Sequence, residues 1–177
     1  MARLPYRGPD DAEGRVKEVI EAAPPLNIFR LMAHADSAFV PWLRWGGALL
    51  GELELDAVLR ELAILRVARL TPGAEYEWVQ HEAIARSVGA SDEQVEACRT
   101  GVDAEGNDAL VLRFTDEVVR DATPSDETFA AMTKLFSAQE IIELLLVIGQ
   151  YMTLARVMAT AQIDMDEPIG ASLIDGS

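Results

Sequence analysis

The chain lacks several features that would define common classes of protein. It has 177 residues and one cysteine, Cys98, so it can form neither an intrachain disulfide nor a metal site built from several thiolates. Basic residues are scarce: 15 Lys and Arg stand against 30 Asp and Glu, which gives a formal net charge of −15. This balance disfavours nucleic acid and anionic membrane surfaces as partners, because both bind clustered positive charge.

The sequence predicts neither a signal peptide nor an apolar run long enough to span a membrane. Residues 1–15 hold no apolar core of the kind that a signal peptide needs, and the longest apolar stretch, residues 141–159, is interrupted by Glu143, Gln150 and Arg156. We expect a buried bundle helix there and not a membrane span. A cytoplasmic location is predicted, which the single cysteine also suits.

Helical periodicity is present over most of the length. No strand alternation and no internal repeat is visible, and the sequence predicts an all-α protein, a compact bundle of about seven to nine helices in a single domain spanning residues 1–177. Ser91 and Ser137 each begin a capping box, Asp10 or Asp11 is the expected cap of the first helix, and residues 164–177 read as an irregular tail. The predicted helices span residues 11–23, 26–33, 36–52, 55–70, 74–89, 91–99, 107–121, 125–135 and 137–163.

The helix predicted over residues 74–89 directs two titratable side chains inward. On a helical wheel, His81 lies in the middle of an apolar stripe, and Glu77 lies between His81 and Ile84. Glu75 and Glu82 lie on the opposite, solvated side. Glu77 and His81 are four residues apart, so they are neighbours on one face of the helix.

The preceding helix repeats this pattern. Its wheel surrounds Glu61 with Ala57, Ile64 and Leu65, and places Arg66 among leucines. Burial of an unpaired ionised group costs several kcal/mol, roughly, so we expect these groups to meet across the break at residues 71–73. A carboxylate beside an imidazole in apolar surroundings forms an acid/base pair that works near neutral pH. Arg66 is the expected structural member, neutralising Glu61.

The same sequence patterns allow other interpretations of these residues and indicate a further candidate pair. His81 could be a satisfied core histidine without chemistry. A metal site is disfavoured, because the spacing is not His-Glu-x-x-His and His34 is far away in the sequence. Trp42 and Trp45 share a face and could line a pocket, although such a pair is also typical of a core or a subunit contact.

The segment RELAILRVARLTPGAEYEWVQHEAIARSVGASDEQV, residues 60–95, resembles the carboxymuconolactone decarboxylase / alkylhydroperoxidase-D superfamily. The pattern is a helix with R-E-L-x-I-L, a short break, and then E-Y-E-W-x-x-H-x-x-x-A-x-x-x-G. With the pattern around residues 148–152, the resemblance covers about residues 36–165. It implies an all-helical, alkylhydroperoxidase-D-like fold that assembles as homo-trimers or hexamers, with sites near subunit interfaces.

The superfamily has two chemical branches, and one of them requires cysteines. The peroxidase branch carries Cys-x-x-Cys-x-x-x-His, and counting back from His81 places its two cysteines at Ala74 and Glu77. Both thiols are absent, and Cys98 lies outside the motif, so thiol peroxidase chemistry of that kind is not expected. An alkylhydroperoxidase-like antioxidant enzyme and a non-catalytic oligomeric binding protein are kept as alternatives.

The resemblance to the other branch implies a carboxymuconolactone decarboxylase-like lyase in aromatic compound catabolism. Carried over by motif, the catalytic residues are His81 as the acid/base, Glu77 as the residue that shares its proton, and Glu61 as the outer member of the relay. The predicted substrate is a small carboxylated lactone or related carbonyl compound, without cofactor or metal. Residues predicted to bind it are Arg66, Trp78, Trp45 and Tyr76, with Arg44 as another possible carboxylate ligand.

Overall fold

The computed structural model describes residues 1–102 and 104–170, and within them the protein is all-helical, as the sequence predicts. A short 3-10 helix, Pro9–Asp11, precedes nine α-helices. These are α1 (Gly14–Ala22), α2 (Asn27–Met32), α3 (Asp36–Gly51), α4 (Ala57–Leu70), α5 (Glu75–Ser87), α6 (Asp92–Thr100), α7 (Gly106–Asp121), α8 (Asp126–Leu135) and α9 (Ala138–Ala161). Whether the whole chain forms one domain stays a prediction.

Side-chain caps define the starts of several helices. Ser91 and Ser137 form the predicted capping boxes, and the Asp56 carboxylate accepts from the backbone N–H groups of Val58 and Leu59 at the start of α4. The prediction for the first helix is wrong. Asp10 and Asp11 lie in the 3-10 turn, and α1 begins after Glu13, because Gly14 adopts φ +53° and separates the two segments.

Helix α4 is the centre of the fold. It packs against α5, α6, α7 and α9, and ten of its fourteen residues are buried. A helix that is covered on all sides needs apolar residues around its whole circumference, and α4 supplies them. Its fully buried members are Leu62, Ala63, Ile64, Leu65 and Val67. Any charged residue in the middle of α4 is therefore forced to find a partner inside the protein.

Helix α9 is the long apolar helix that the sequence predicts. It packs against α3, α4, α7 and α8. Glu143, which interrupts the apolar run, accepts a hydrogen bond from the backbone N–H of Leu55 at 2.8 Å and so secures the segment before α4. Among the described helices, α9 is the one that is long and apolar enough to cross a membrane by length and composition alone. The core helix of a soluble protein meets the same criteria.

Arg66 joins three helices and does not reach Glu61. Its guanidinium donates to both carboxylate oxygens of Asp116 in α7, at 2.8 Å for Nη2, and to the carbonyl of Cys98 in α6 at 3.0 Å. Gly101, with φ +78°, lies against this group, and a Cβ there would approach Nη2 to 2.5 Å. The prediction that Arg66 neutralises Glu61 is therefore corrected: Arg66 is on another face of α4, where α6 and α7 pack.

We predict that Arg66→Ala lowers the free energy of unfolding by about 3 kcal/mol, because it leaves the Asp116 carboxylate and the Cys98 carbonyl without their buried donor. Urea unfolding followed by circular dichroism measures this change. Arg113→Ala, at an exposed position of α7, is the matched control and is expected to change stability by less than about 0.5 kcal/mol. Equal effects of the two substitutions would contradict the structural role of Arg66.

Candidate active site

The turn at residues 71–73 brings two helices of the candidate site together. It places α5 alongside α4, and Gly73 in this turn has φ +84°. A Cβ on Gly73 would approach the Cβ of Ala159 in α9 to 3.1 Å, so the turn lies close against α9. Glu61 of α4 then faces Glu77 and His81 of α5. The three titratable side chains that the wheel directs inward meet within one chain.

Glu61 is the fully buried member of this group. Its Oε1 accepts a hydrogen bond from Arg60 Nε at 2.9 Å, and its Oε2 lies 2.7 Å from His81 Nδ1. Since a carboxylate is only an acceptor, this contact assigns the Nδ1 proton to the imidazole. The other ring nitrogen, Nε2, is thereby left for chemistry.

His81 Nε2 lies 3.5 Å from Glu77 Oε1, one helical turn away. The second oxygen of Glu77, Oε2, is buried and has no hydrogen-bond partner in the described chain. Burial, with a smaller contribution from Glu61, raises the pKa of Glu77 to about 7, although His81 opposes the shift. Burial lowers the pKa of His81, but the Glu61 and Glu77 carboxylates outweigh it and the pKa is raised overall. Because the two groups lie in contact and each shifts the pKa of the other, they titrate as a coupled pair.

A cavity of about 560 Å³ opens beside this pair. Its volume is in the usual range for small-molecule sites, and Glu77, His81 and Tyr151 all line it. The Tyr151 ring packs edge-on to the His81 imidazole, with 4.7 Å between centroids. Most of the remaining wall is apolar and comes from the segment after α1 and from α2, α3 and α9, including Leu26, Ile28, Phe29, Trp42, Leu43, Leu50, Leu154 and Met158.

The segment after α9 forms one wall of the same cavity. The Asp166 carboxylate accepts hydrogen bonds from the Tyr76 hydroxyl at 2.6 Å and from the backbone and side-chain N–H groups of Asn27. Gln80 Nε2 donates to the backbone carbonyls of Asp166 and Glu167, both at 3.3 Å. Tyr76 and Gln80 thus use their polar groups to hold this segment over the cavity. The tail predicted as irregular has no helix over residues 164–169, and residues 171–177 lie outside the described part.

The four predicted substrate-binding residues lie in different places. Tyr76 lines the cavity, although its hydroxyl is bonded to Asp166. Arg66, Trp78 and Trp45 are outside its lining. Trp78 Nε1 donates to Glu82 at 2.6 Å, and the Arg99 guanidinium lies 4.2 Å from the Trp78 ring centroid, whereas the Trp45 side chain is exposed.

Sequence reasoning missed two members of the site. Arg60 is the hydrogen-bond partner of Glu61. A helical wheel does not predict this contact, because adjacent residues on a helix point in different directions. The long side chain of Arg60 makes the contact possible. The R-E-L motif, which contains both Arg60 and Glu61, is the sequence feature that indicates the pair. Tyr151 lies in α9, and its distance from His81 depends on how α9 crosses α5, which the sequence pattern does not contain.

Comparison with known proteins relates the part of the chain that holds Glu61, Glu77 and His81 to a known family. The family model described as the carboxymuconolactone decarboxylase family matches residues 39–117. Among curated proteins, no sequence matches the chain. The predicted resemblance is confirmed for this part of the chain, which is similar to the carboxymuconolactone decarboxylase family, and the single cysteine leaves no Cys-x-x-Cys pair.

Two solved structures resemble the whole fold. One is an uncharacterized peroxidase-related protein from Ralstonia eutropha JMP134, described as an alkylhydroperoxidase AhpD core, with a TM-score of 0.79, 16% identity, and coverage of 98% of this chain and 94% of that chain. The other is an uncharacterized peroxidase-related protein from Silicibacter sp. TM1040, with a TM-score of 0.70, 17% identity, and coverage of 79% and 76%. At these identities the likeness shows the fold, which is alkylhydroperoxidase-D-like.

Cys98 is remote from the Glu77–His81 pair. It is fully buried in α6, its Sγ lies 3.5 Å from the Leu62 carbonyl, and burial raises the pKa of the thiol to about 12. A thiol in such surroundings is a poor nucleophile. Within residues 1–102 and 104–170, no three His, Cys, Asp or Glu side chains are placed to hold a metal ion.

We predict that Glu61→Gln lowers the pKa of His81, because it removes the negative charge that favours the imidazolium. The chain has only two histidines, so NMR titration of the imidazole protons resolves His81 and uses His34 as an internal reference. Glu75→Gln, on the exposed side of α5, is the matched control and leaves the His81 titration unchanged. An unaltered His81 pKa in Glu61→Gln would contradict the coupling.

We further predict that Glu77→Gln flattens the pH dependence of stability. The folded-state pKa of Glu77, about 7, lies above the ordinary 4.5, so the stability contributed by its neutral form is complete below about pH 4.5 and is lost as pH rises through about 7. The amide stays neutral, so the variant gains up to about 3 kcal/mol relative to the native protein between pH 5 and 8. Urea unfolding at both pH values measures the difference. A difference that does not change with pH, as expected for Glu75→Gln, would contradict the raised pKa.

Proposed function

We propose that the protein is a cofactor-free acid/base enzyme, lyase-like, that moves a proton at the carbon next to the carbonyl group of a small molecule. One observation carries the proposal. A buried carboxyl with a pKa of about 7, Glu77, has an oxygen without a partner, lines an apolar cavity, and is 3.5 Å from an imidazole. Acid/base groups matched to neutral pH and placed in a cavity are typical of active sites.

Each member of the group then has a separate role. Glu61, held by Arg60, keeps the proton on His81 Nδ1 and orients the ring. Glu77 and His81 Nε2 share a second proton. The deprotonated pair takes the proton from the substrate carbon, and the electron pair of the broken C–H bond forms an enolate with its charge on the carbonyl oxygen. The pair exchanges the captured proton with water and then returns a proton to the carbon, which re-forms the C–H bond and the carbonyl. The Tyr151 hydroxyl, whose pKa burial raises well above 10, stays a neutral donor beside this reaction.

A more specific version of this proposal is decarboxylation of a carboxylated lactone, and the family match supports it. In that reaction the C–C bond to the carboxylate breaks, CO2 leaves, and its electron pair is left on carbon as an enolate. Protonation of that carbon by the Glu77–His81 pair completes the reaction. The substrate carboxylate needs a positive partner, yet among the described residues no Lys or Arg lines the cavity, so the general proton-transfer form has the stronger support.

A purely structural role for the Glu–His group is the second candidate. The raised pKa of Glu77 argues against it, because a buried carboxyl that prefers to be neutral and has an unbonded oxygen destabilises the fold near pH 8 and is an inefficient way to join two helices. The alkylhydroperoxidase alternative has the fold likeness in its favour. The buried Cys98, with its raised pKa, gives it no thiolate.

Deuterium exchange tests the proposal without knowledge of the natural substrate. Native protein in D2O is incubated with a set of small lactones and cyclic ketones, and NMR follows loss of the protons next to the carbonyl; carboxymuconolactone is tested in parallel by ultraviolet absorbance and CO2 release. We expect exchange or turnover by the native protein, and a loss of at least about 100-fold in His81→Ala and Glu77→Gln.

Glu75→Gln is the matched control and keeps full activity, and circular dichroism shows whether each variant is folded. The proposal is wrong if folded His81→Ala exchanges protons as fast as the native protein. If His81→Ala instead lowers the melting temperature and the native protein transforms none of the compounds, the structural role is favoured.

A further inference from the structure

The charge of the cavity lining restricts what it can bind. Its titratable side chains in the described chain are Glu77, His81, Tyr76 and Tyr151, and none is a Lys or Arg. The walls are mostly hydrocarbon. A carboxylate buried here would have no guanidinium or ammonium partner. The basic group of the described lining, His81, is already paired with Glu61, and Glu77 would lie beside the bound carboxylate, at a cost of several kcal/mol, roughly. The net charge of −15 adds an unfavourable long-range field for an anion.

The described lining also holds the amide side chains of Gln80 and Gln150, and some of its polar groups are already bonded within the chain. Tyr76 and Gln80 are bonded to the segment at residues 166–169. Two buried polar atoms have no partner in the described part of the chain, and both belong to residues that line the cavity: Trp42 Nε1 and Glu77 Oε2. An unpaired buried N–H costs free energy, which a bound molecule with an acceptor would recover. Because an indole nitrogen only donates, the complementary group is a carbonyl, ether or hydroxyl oxygen.

The indole is held in place by aromatic packing and has open space beside it. The Phe39 ring stacks on Trp42 with 6.2 Å between centroids, and the Phe29 ring packs edge-on at 6.0 Å. Gly46 and Gly47 follow one turn later in α3 and also line the cavity. A Cβ at either glycine would meet nothing within 4 Å. Both glycines therefore leave room in the same cavity lining as an indole whose position is already set, which lowers the cost of binding.

Resting on the proposed function, we propose that the cavity takes an uncharged, largely apolar carbonyl compound, a ketone or lactone without a carboxylate, and that Trp42 Nε1 donates a hydrogen bond to its carbonyl oxygen. Trp42 is then the residue that determines specificity for an oxygen acceptor. The same N–H would bind the enolate oxygen more strongly than the ground-state carbonyl, because charge develops there. The inference departs from the carboxylated lactone that the family resemblance implies.

Three probes of one ring system test the inference by isothermal titration calorimetry at pH 8: α-tetralone, its ring carboxylic acid, and tetralin, the hydrocarbon without the oxygen. We expect the native protein to bind α-tetralone at least about tenfold more tightly than the acid. Trp42→Phe keeps the aromatic packing and removes the donor, so it is expected to weaken α-tetralone about tenfold and leave tetralin unchanged. Gly46→Leu fills the open space and is expected to abolish binding of both, while leucine favours the helix.

Each other result overturns a part of the inference. Equal or tighter binding of the carboxylic acid, or no saturable binding of α-tetralone at millimolar concentration, overturns the uncharged class. Equal effects of Trp42→Phe on α-tetralone and tetralin overturn the donor role. Binding is measured without turnover, so the two proposals fail separately: Trp42-dependent binding without proton exchange refutes the proposed function alone, and His81-dependent turnover of the carboxylated lactone alone refutes this inference.

Discussion

The interaction on which the candidate site depends is the buried contact of Glu61 with Arg60 and His81. A carboxylate that is 0% exposed inside a helical core is tolerated only when both of its oxygens are bonded, and here they are, at 2.9 and 2.7 Å. The contact sets the distance between α4 and α5 at this level and assigns the Nδ1 proton of His81. The orientation of Nε2 toward Glu77 and the cavity follows from it.

Helix α4 carries two such buried charges, and they serve different ends. Arg66 is paired within the described chain to Asp116 and Cys98, Gly101 lies against its guanidinium, and it is outside the lining of the cavity beside His81. Glu61 is also paired, through His81. The other nitrogen of that imidazole lies near Glu77, whose Oε2 has no hydrogen-bond partner in the described chain. The first arrangement is a structural one. The second ends in an unsatisfied acid next to open space, which is how stability is given up at a functional site.

The inward placement of Glu61, Glu77 and His81 could be predicted, because helical periodicity alone decides which face a residue takes, and the structure places all three together. The hydrogen-bond partner of Glu61, Arg60, could not be predicted in this way. A wheel places Arg66 on an apolar face but says nothing of which helix covers it, and it separates Arg60 from its neighbour by about 100°. Tyr151 and Trp42 meet the site through crossing angles of α9 and α3, which a local pattern does not contain.

Position 77 is where this chain departs from the Cys-x-x-Cys motif next to the histidine. By motif, the superfamily's peroxidase branch has a thiol where this chain has Glu77, one turn before the histidine. A thiol there needs its pKa lowered to become a nucleophile, and the adjacent imidazole supplies that. Here a carboxyl has its pKa raised to about 7 by apolar surroundings, against the pull of the same imidazole. Burial disfavours the thiolate that the peroxidase branch needs, whereas it raises the pKa of a carboxyl toward neutral pH. Under the proposed function, the apolar cavity and a glutamate at position 77 therefore suit each other.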